Sequence, residues 1–177
     1  MTEIAIRPER PDDVPAIRRL NEHAFDKPTE AHLVDTLRRT CPDFLSLVAE
    51  DATAEGDTVV GHILFTPVAV EHGGRQIVGM GLAPMAVRPD HQRRGIGSQL
   101  VTHSLSVLRE RGCPFVVVVG YPGYYSRFGF APASTHGLSS QWVGIPDVVF
   151  MALILDDAAM AGVSGVARYR DEFNAVT

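Results

Sequence analysis

Few residues in this chain suit covalent cross-linking or metal binding. Of 177 residues only Cys41 and Cys113 are cysteine. Neither sits in a CxxC or zinc-ligand spacing, so no disulfide framework is expected. His23, His32, His91 and His103 are scattered, with no i,i+4 pair and no HExxH, and no metal site is expected. Ser98, Ser104 and Ser106 lack a GxSxG setting, which disfavours a covalent intermediate. No run of 18 apolar residues occurs, so no membrane-spanning helix is expected. The opening Met-Thr-Glu-Ile has no basic stretch followed by an apolar one, so no signal peptide is expected and the expected setting is cytoplasmic. Basic residues are not in excess either. Sixteen Lys and Arg against 21 Asp and Glu leave a formal charge of −5, which argues against a nucleic-acid partner.

What is present points to a folded domain. Hydrophobic side chains make up 45% of a chain long enough for one core, so a single domain over 1–177 is expected, with its core at about 4–155 and a tail at 156–177. Ile4–Arg7 reads as a strand. Asp12 or Asp13 is expected to cap a helix bearing Val14, Ile17, Leu20 and Ala24, and Leu33, Val34 and Leu37 mark a second helix. Strands follow at Leu45–Ala49, at Val59–Phe65 with Val68–Val70, and at Ile77–Val87. A helix from near Gly95 carries Leu100, Val101, Leu105 and Leu108. The apolar run Phe115–Val119 after it reads as a strand buried on both faces, hence a parallel crossover. A short helix at Tyr124–Phe128 and strands near Phe130 and at Val148–Leu155 complete the order. This is an α/β chain with a mixed sheet: strand, two helices, three strands, helix, strand, helix and two strands.

Charge is uneven along that order. From Arg88 to Arg127 six Arg face only Asp90 and Glu110, a local balance of +4 in an acidic chain, which suits an anionic ligand. Within this stretch Gln92-Arg93-Arg94-Gly95-Ile96-Gly97 lies between a strand and a helix. The first turn of a helix offers free N–H groups and a positive dipole end, and glycines let a phosphate approach the backbone. A Rossmann fingerprint needs a third glycine where Leu100 stands, and no GxxxxGK[ST] is present.

The segment Met85-Ala86-Val87 followed by Gln92–Gly97 and a long helix resembles the acetyl-CoA signature of the GNAT superfamily. Tyr125-Ser126-Arg127-Phe128-Gly129-Phe130 is similar to its Tyr-x-x-x-Gly-Phe element. The resemblance runs from Ile4 to about Leu155, and Gly61–Phe65 and Tyr124–Phe130 are similar to a bacterial subgroup of acetyltransferases. It implies an N-acetyltransferase with the GNAT fold, acetyl-CoA as cosubstrate and a small amine or peptide as acceptor. It also implies that Met85, Ala86 and Val87 pair with the pantetheine arm and that the Met85 amide polarises the thioester carbonyl. The amides of Arg93, Arg94, Gly95, Ile96, Gly97 and Ser98 then hold the diphosphate, Gln92, Tyr124, Tyr125 and Phe128 also contribute to cofactor binding, and Tyr125 is the general acid.

The sequence departs from the better-known pattern in one respect. Leu82, Ala83, Pro84 and Met85 supply no carboxylate where many relatives keep the base. Glu50, His62, His72 and His136 are candidates by chemistry alone, and a hydrogen-bonded structural role suits His62 best. Trp142 and the loop 137–149 are expected to wall the acceptor pocket or to be ordinary surface, and exposed strands with the tail 166–173 allow a homodimer. The alternative function is an acyl-CoA-binding module without turnover; a dinucleotide oxidoreductase is a weaker third reading.

Overall fold

Apolar spacing accounts for most of the elements in the computed structural model, which describes residues 3–176. Strand β1 (Ile4–Pro8) is followed by a 3-10 turn, Pro11–Asp13, and by helix α1 (Val14–Phe25), which buries Ile17, Leu20 and Asn21 on one face. Helix α2 (Thr29–Thr40) buries Ala31, Leu33, Val34 and Leu37. Strands β2 (Leu45–Asp51), β3 (Val59–His72) and β4 (Arg75–Val87) precede helix α3 (Ile96–Glu110) and strand β5 (Phe115–Val119). Then come α4 (Pro122–Tyr125), β6 (Ala131–Pro132), β7 (Leu138–Ser140), β8 (Phe150–Ile154), α5 (Asp157–Met160) and β9 (Gly165–Ala167).

The seven-stranded sheet has the order β1-β2-β3-β4-β5-β8-β6. β1, β2 and β3 pair antiparallel, β4 and β5 pair parallel, and β8 runs antiparallel to β5 and β6. The mixed sheet and the parallel crossover through α3 are those the periodicity predicts. The chain forms two compact units, and β3 and β4 each pass from one to the other. The first holds residues 1–65, 83–104 and 171–177, and the second 66–82 and 105–170. Ile17, Leu37, Leu47, Phe65 and Leu100 are core residues of the first; Leu108, Phe115, Leu138 and Met151 are core residues of the second.

Several local expectations need correction. Residue 13 already has helical dihedrals (φ −79°, ψ −18°), so its side chain does not cap α1. The Asp13 carboxylate instead accepts the Arg10 N–H at 2.7 Å and two bonds from the Arg7 guanidinium at 2.7 and 3.0 Å. β3 runs unbroken through Pro67, although proline has no ladder donor to give. The helix expected at 124–128 is one α-helical turn ending at Tyr125, followed by the 3-10 turn Ser126–Phe128. The tail also carries a strand that was not expected: β9 pairs in parallel with β7 as a separate two-stranded sheet, Leu138 opposite Gly165.

Two close approaches fix the elements that matter most. A Cβ at Gly61 of β3 would lie 3.0 Å from Leu100 Cδ1 and 3.1 Å from Ile96 Cγ2. The first turns of α3 therefore sit directly on β3. At Gly79 of β4 a Cβ would fall 2.5 Å from the Phe115 carbonyl oxygen, so β4 meets β5 there only without a side chain.

Candidate active site

The β4–β5 ladder is short. Met80, Gly81 and Leu82 oppose Val116, Val117 and Val118, and among the described residues no further pair follows. β4 nevertheless continues to Val87. Pro84 has no N–H to offer a ladder, which is a local reason for pairing to stop. In this continuation Ala86 is buried, and Met85 and Val87 are half-buried. The Val87 carbonyl is taken by the Gln92 side chain, whose Nε2 donates to it at 3.1 Å. Gln92 thus braces the end of the strand.

Between β4 and α3 the backbone turns sharply. Arg93 has φ +63° and Gly95 φ +77°. Left-handed residues placed this close together turn successive amides toward one side, a geometry that suits an anion. A Cβ built at Gly95 would meet nothing within 4 Å, so the space beside the backbone is open. The first α-helical bond runs from the Gln99 N–H to the Gly95 carbonyl at 3.0 Å, leaving the N–H groups of Ile96 and Gly97 without an intrahelical acceptor. The Arg93 and Arg94 side chains are exposed and make no hydrogen bond or ion pair among the described residues. Gly97 and Ser98 are half-buried, and Ile96 is buried as the anchor of the helix. Residues 85–87 and 92–98 thus belong to one structural unit and form a strand end, a tight turn and a helix start with positive character.

The loop is tied down from its other side. Arg88 donates to both Asp90 carboxylate oxygens at 2.6 and 2.8 Å and to the Glu55 and Asp57 carbonyls at 3.1 and 2.9 Å. His91 is buried, with Nδ1 2.8 Å from Asp90 and Nε2 3.2 Å from Asp51. The Arg88 guanidinium and His91 hold Asp90 far below the usual carboxylate range. Sequence reasoning missed this set; an Asp-His pair next to the glycine motif was the one available signal.

Tyr125 lies in the second unit, at the end of α4, and is 8% exposed. A Cβ at Gly120 would sit 2.3 Å from its Cε2, so the ring occupies the space that glycine leaves. Tyr124 and Phe130 meet it edge-on, with ring centroids 5.1 and 5.7 Å away. Burial, with a smaller contribution from Tyr124, pushes the Tyr125 hydroxyl up to about 12. Tyr124 is half-buried and carries the Arg127 guanidinium 4.5 Å above its ring; Phe128 packs edge-on against it at 5.4 Å. The Trp142 ring packs at a tilt of 43° against that of Tyr169, centroids 4.7 Å apart; Tyr169 is a tail residue that the sequence did not single out.

The candidate bases fare differently. Glu50 accepts from Arg7 Nε at 2.9 Å, and that bond holds its carboxyl below the usual range, which weakens it as a base. His62 is fully buried, its Nε2 2.9 Å from Ser46 Oγ and its Nδ1 3.3 Å from Asn21 Nδ2. Burial pushes it down to about 4. His72 is engaged with the Ser164 carbonyl at 3.2 Å, and His136 is half-buried. Among the described residues no group of three or more His, Cys, Asp or Glu is placed to hold a metal, and no helix is long and apolar enough to cross a membrane.

Comparison with known proteins identifies the family and the fold. A family described as an acetyltransferase (GNAT) domain matches residues 5–133. The uncharacterized N-acetyltransferase YhbS of Escherichia coli is 38% identical over 169 residues, 96% of this chain and 98% of its own length. The crystal structure of YhbS in complex with CoA superposes with a TM-score of 0.88, at 37% identity, covering 98% of this chain and 93% of that one. A GNAT family acetyltransferase from Brucella melitensis, solved with acetyl-CoA, gives a TM-score of 0.75 at 33% identity, covering 98% and 99% of the two chains.

Proposed function

The chain belongs to the GNAT family of N-acetyltransferases, and on that premise we propose that it transfers the acetyl group of acetyl-CoA to a primary amine by direct attack on the thioester. The observation that carries this reading is the pair of left-handed turns at Arg93 and Gly95 running into α3, with open space beside Gly95. A diphosphate fits that turn. Two relatives more than 30% identical over nearly the whole chain were solved with CoA or acetyl-CoA, which supports the same donor here.

Acetyl-CoA supplies an activated acyl group, and the remaining work falls to this chain. The amides of residues 93–98 would hold the diphosphate, with Arg93 and Arg94 adding charge from outside. Met85, Ala86 and Val87, beyond the end of the β4–β5 ladder, would pair with the pantetheine arm. The Met85 N–H would donate to the thioester oxygen as negative charge grows there, a position where one donor contributes about 3 kcal/mol.

Tyr125 would serve the leaving sulfur. Its hydroxyl keeps its proton at every ordinary pH, so the donor is always present. Full transfer to a thiolate of pKa about 8.5 from a phenol near 12 runs uphill by about 5 kcal/mol. The hydroxyl is therefore best used as a hydrogen-bond donor to the developing thiolate. It would release its proton to the sulfur as it takes one from the ammonium formed when the amine attacks. Glu50 is paired and His62 is enclosed, so neither is placed to take the amine's proton directly.

The lack of a carboxylate from Leu82 to Val87 favours one other reading, an acyl-CoA-binding module without turnover. Calorimetric titration with CoA and a thiol-release assay over a panel of amines, peptides and antibiotics separate the two. Binding with release supports the transferase, binding without release supports the module, and no binding by folded protein removes both.

A further inference from the structure

The glycine turn is tied to the rest of the fold through the residues that precede it. His91 immediately precedes the Gln92–Gly97 segment. Its ring spans two carboxylates: Asp90 at 2.8 Å on the loop and Asp51 at 3.2 Å at the end of β2. A ring nitrogen faces each carboxylate, so whichever nitrogen carries the hydrogen donates it to the carboxylate beside it. The Asp51 side chain is 3% exposed and that of His91 7%, so solvent does not compete for this link. Asp51 is itself fixed, because its other oxygen accepts the Thr53 N–H and hydroxyl at 2.9 and 2.7 Å. Behind Asp90, Arg88 bonds the loop to the carbonyls of Glu55 and Asp57, and the Arg88 N–H reaches the Val60 carbonyl at 2.8 Å.

We infer that His91 is a positioning residue for the cofactor: through Asp51 it anchors the loop to β2 and holds the Arg93–Gly95 turn in its anion-binding shape before any ligand arrives. The inference rests on the diphosphate reading of that turn. A ligand that finds its amides already convergent loses less ordering entropy on binding, so loosening the anchor weakens affinity without touching the reacting atoms. The two halves of the clamp are distinguishable. Asn at position 91 keeps a donor on the Nδ1 side, toward Asp90, whereas Gln keeps one on the Nε2 side, toward Asp51. If the anchor to β2 matters, Gln should retain more affinity than Asn.

The test uses His91→Gln, His91→Asn and Asp51→Asn in the full chain, with CoA as the probe. Dissociation constants are measured by calorimetry, KM and kcat with acetyl-CoA, and amide exchange of residues 92–98 in the free protein. The expected result for His91→Asn and Asp51→Asn is a roughly tenfold rise in Kd and in KM, with kcat within about twofold of wild type. Exchange at residues 93–95 should quicken in the free protein, and His91→Gln should lie between these variants and wild type. A lower melting temperature with Kd and exchange unchanged would make the clamp merely structural and overturn the inference. If wild type fails to bind CoA, the cofactor reading falls and takes this inference with it; normal binding by wild type and variants alike overturns the inference alone. Should a His91 variant fail to fold, Asp51→Asn carries the test, because it leaves the imidazole in place.

Discussion

Tyr125 and Gly120 are complementary in shape: a methyl group at residue 120 would fall 2.3 Å from Tyr125 Cε2 and 2.8 Å from Cδ2. The glycine at the end of β5 therefore decides where the phenol stands. Gly120→Ala should turn the ring away while leaving the residues around Gly95 untouched. The expected outcome is a fall in kcat of about 10- to 100-fold with the KM for acetyl-CoA changed less than threefold, against a loss of about 100-fold or more for Tyr125→Phe. Thiol-release kinetics on both variants and on the double variant test this. If both act through the hydroxyl, the double variant is no slower than Tyr125→Phe alone. Full turnover in Tyr125→Phe would remove the residue from the chemistry.

Arg93 and Arg94 invite a second measurement, because their charges are exposed. Replacing both with Ala should raise the Kd for CoA by about tenfold at low salt. The gap from wild type should narrow as ionic strength rises, since exposed charges are screened beyond about 10 Å at 0.1 M. Gly95→Ala should also weaken binding, but for a different reason. The added methyl meets nothing, yet φ of +77° costs a residue with a Cβ about 1 kcal/mol. That loss should not depend on salt. Parallel salt titrations by calorimetry decide it, and a salt-independent double-Ala effect would contradict the ionic role.

How much of this could be read from the chain depends on the distance over which each feature is set. The turn before α3 was legible because glycine spacing, a preceding β-rich run and a following amphipathic helix are all local signals. The buried Phe115–Val118 run announced a central strand for the same reason. β7 and β9 escaped notice because each has only three residues and the pair joins Leu138 to Gly165, so no periodicity accumulates. The Asp51–His91 contact spans 40 positions and exists only once β2 and the loop meet. Tyr125 was legible through its motif, but the rise to about 12 comes from burial that no pattern of residues displays.

Gly79 sets a limit on the sheet itself. Its missing side chain leaves room for the Phe115 carbonyl and ring, which lie 2.5 and 2.7 Å from where a methyl carbon would stand. Backbone cannot yield as a side chain can, so Gly79→Ala should push β4 from β5 just below the three-residue ladder. A loss of about 1 to 3 kcal/mol is expected. Chemical denaturation should reveal it as a lower midpoint, and an unchanged midpoint would mean that the strands separate here at no cost.

His62 makes folding depend on pH in a window of its own. Its ring sits between Ser46 and Asn21 with no exposed surface, and Ser46 Oγ also donates to Glu9, which Arg38 holds at 2.7 and 3.0 Å. Burial lowers the ring to about 4, whereas a free imidazole takes up its proton near pH 6.5. Between those values the unfolded chain binds the proton and the folded chain does not. Stability should therefore fall as pH drops from about 6.5 to 4, by up to about 3 kcal/mol. Glu9 adds a second loss at lower pH. Burial alone would raise its carboxyl, but the bonds from Arg38 and Ser46 outweigh burial and hold it below its ordinary value. Its stabilisation is thus present above the unfolded value and lost as pH falls through the folded one. Urea denaturation at half-unit steps from pH 8 to 4 measures the first slope. His62→Gln keeps a neutral amide in the same space and should flatten it above pH 5, while Glu9→Gln should leave that part intact. An equal slope in wild type and His62→Gln would mean that another group takes up the proton.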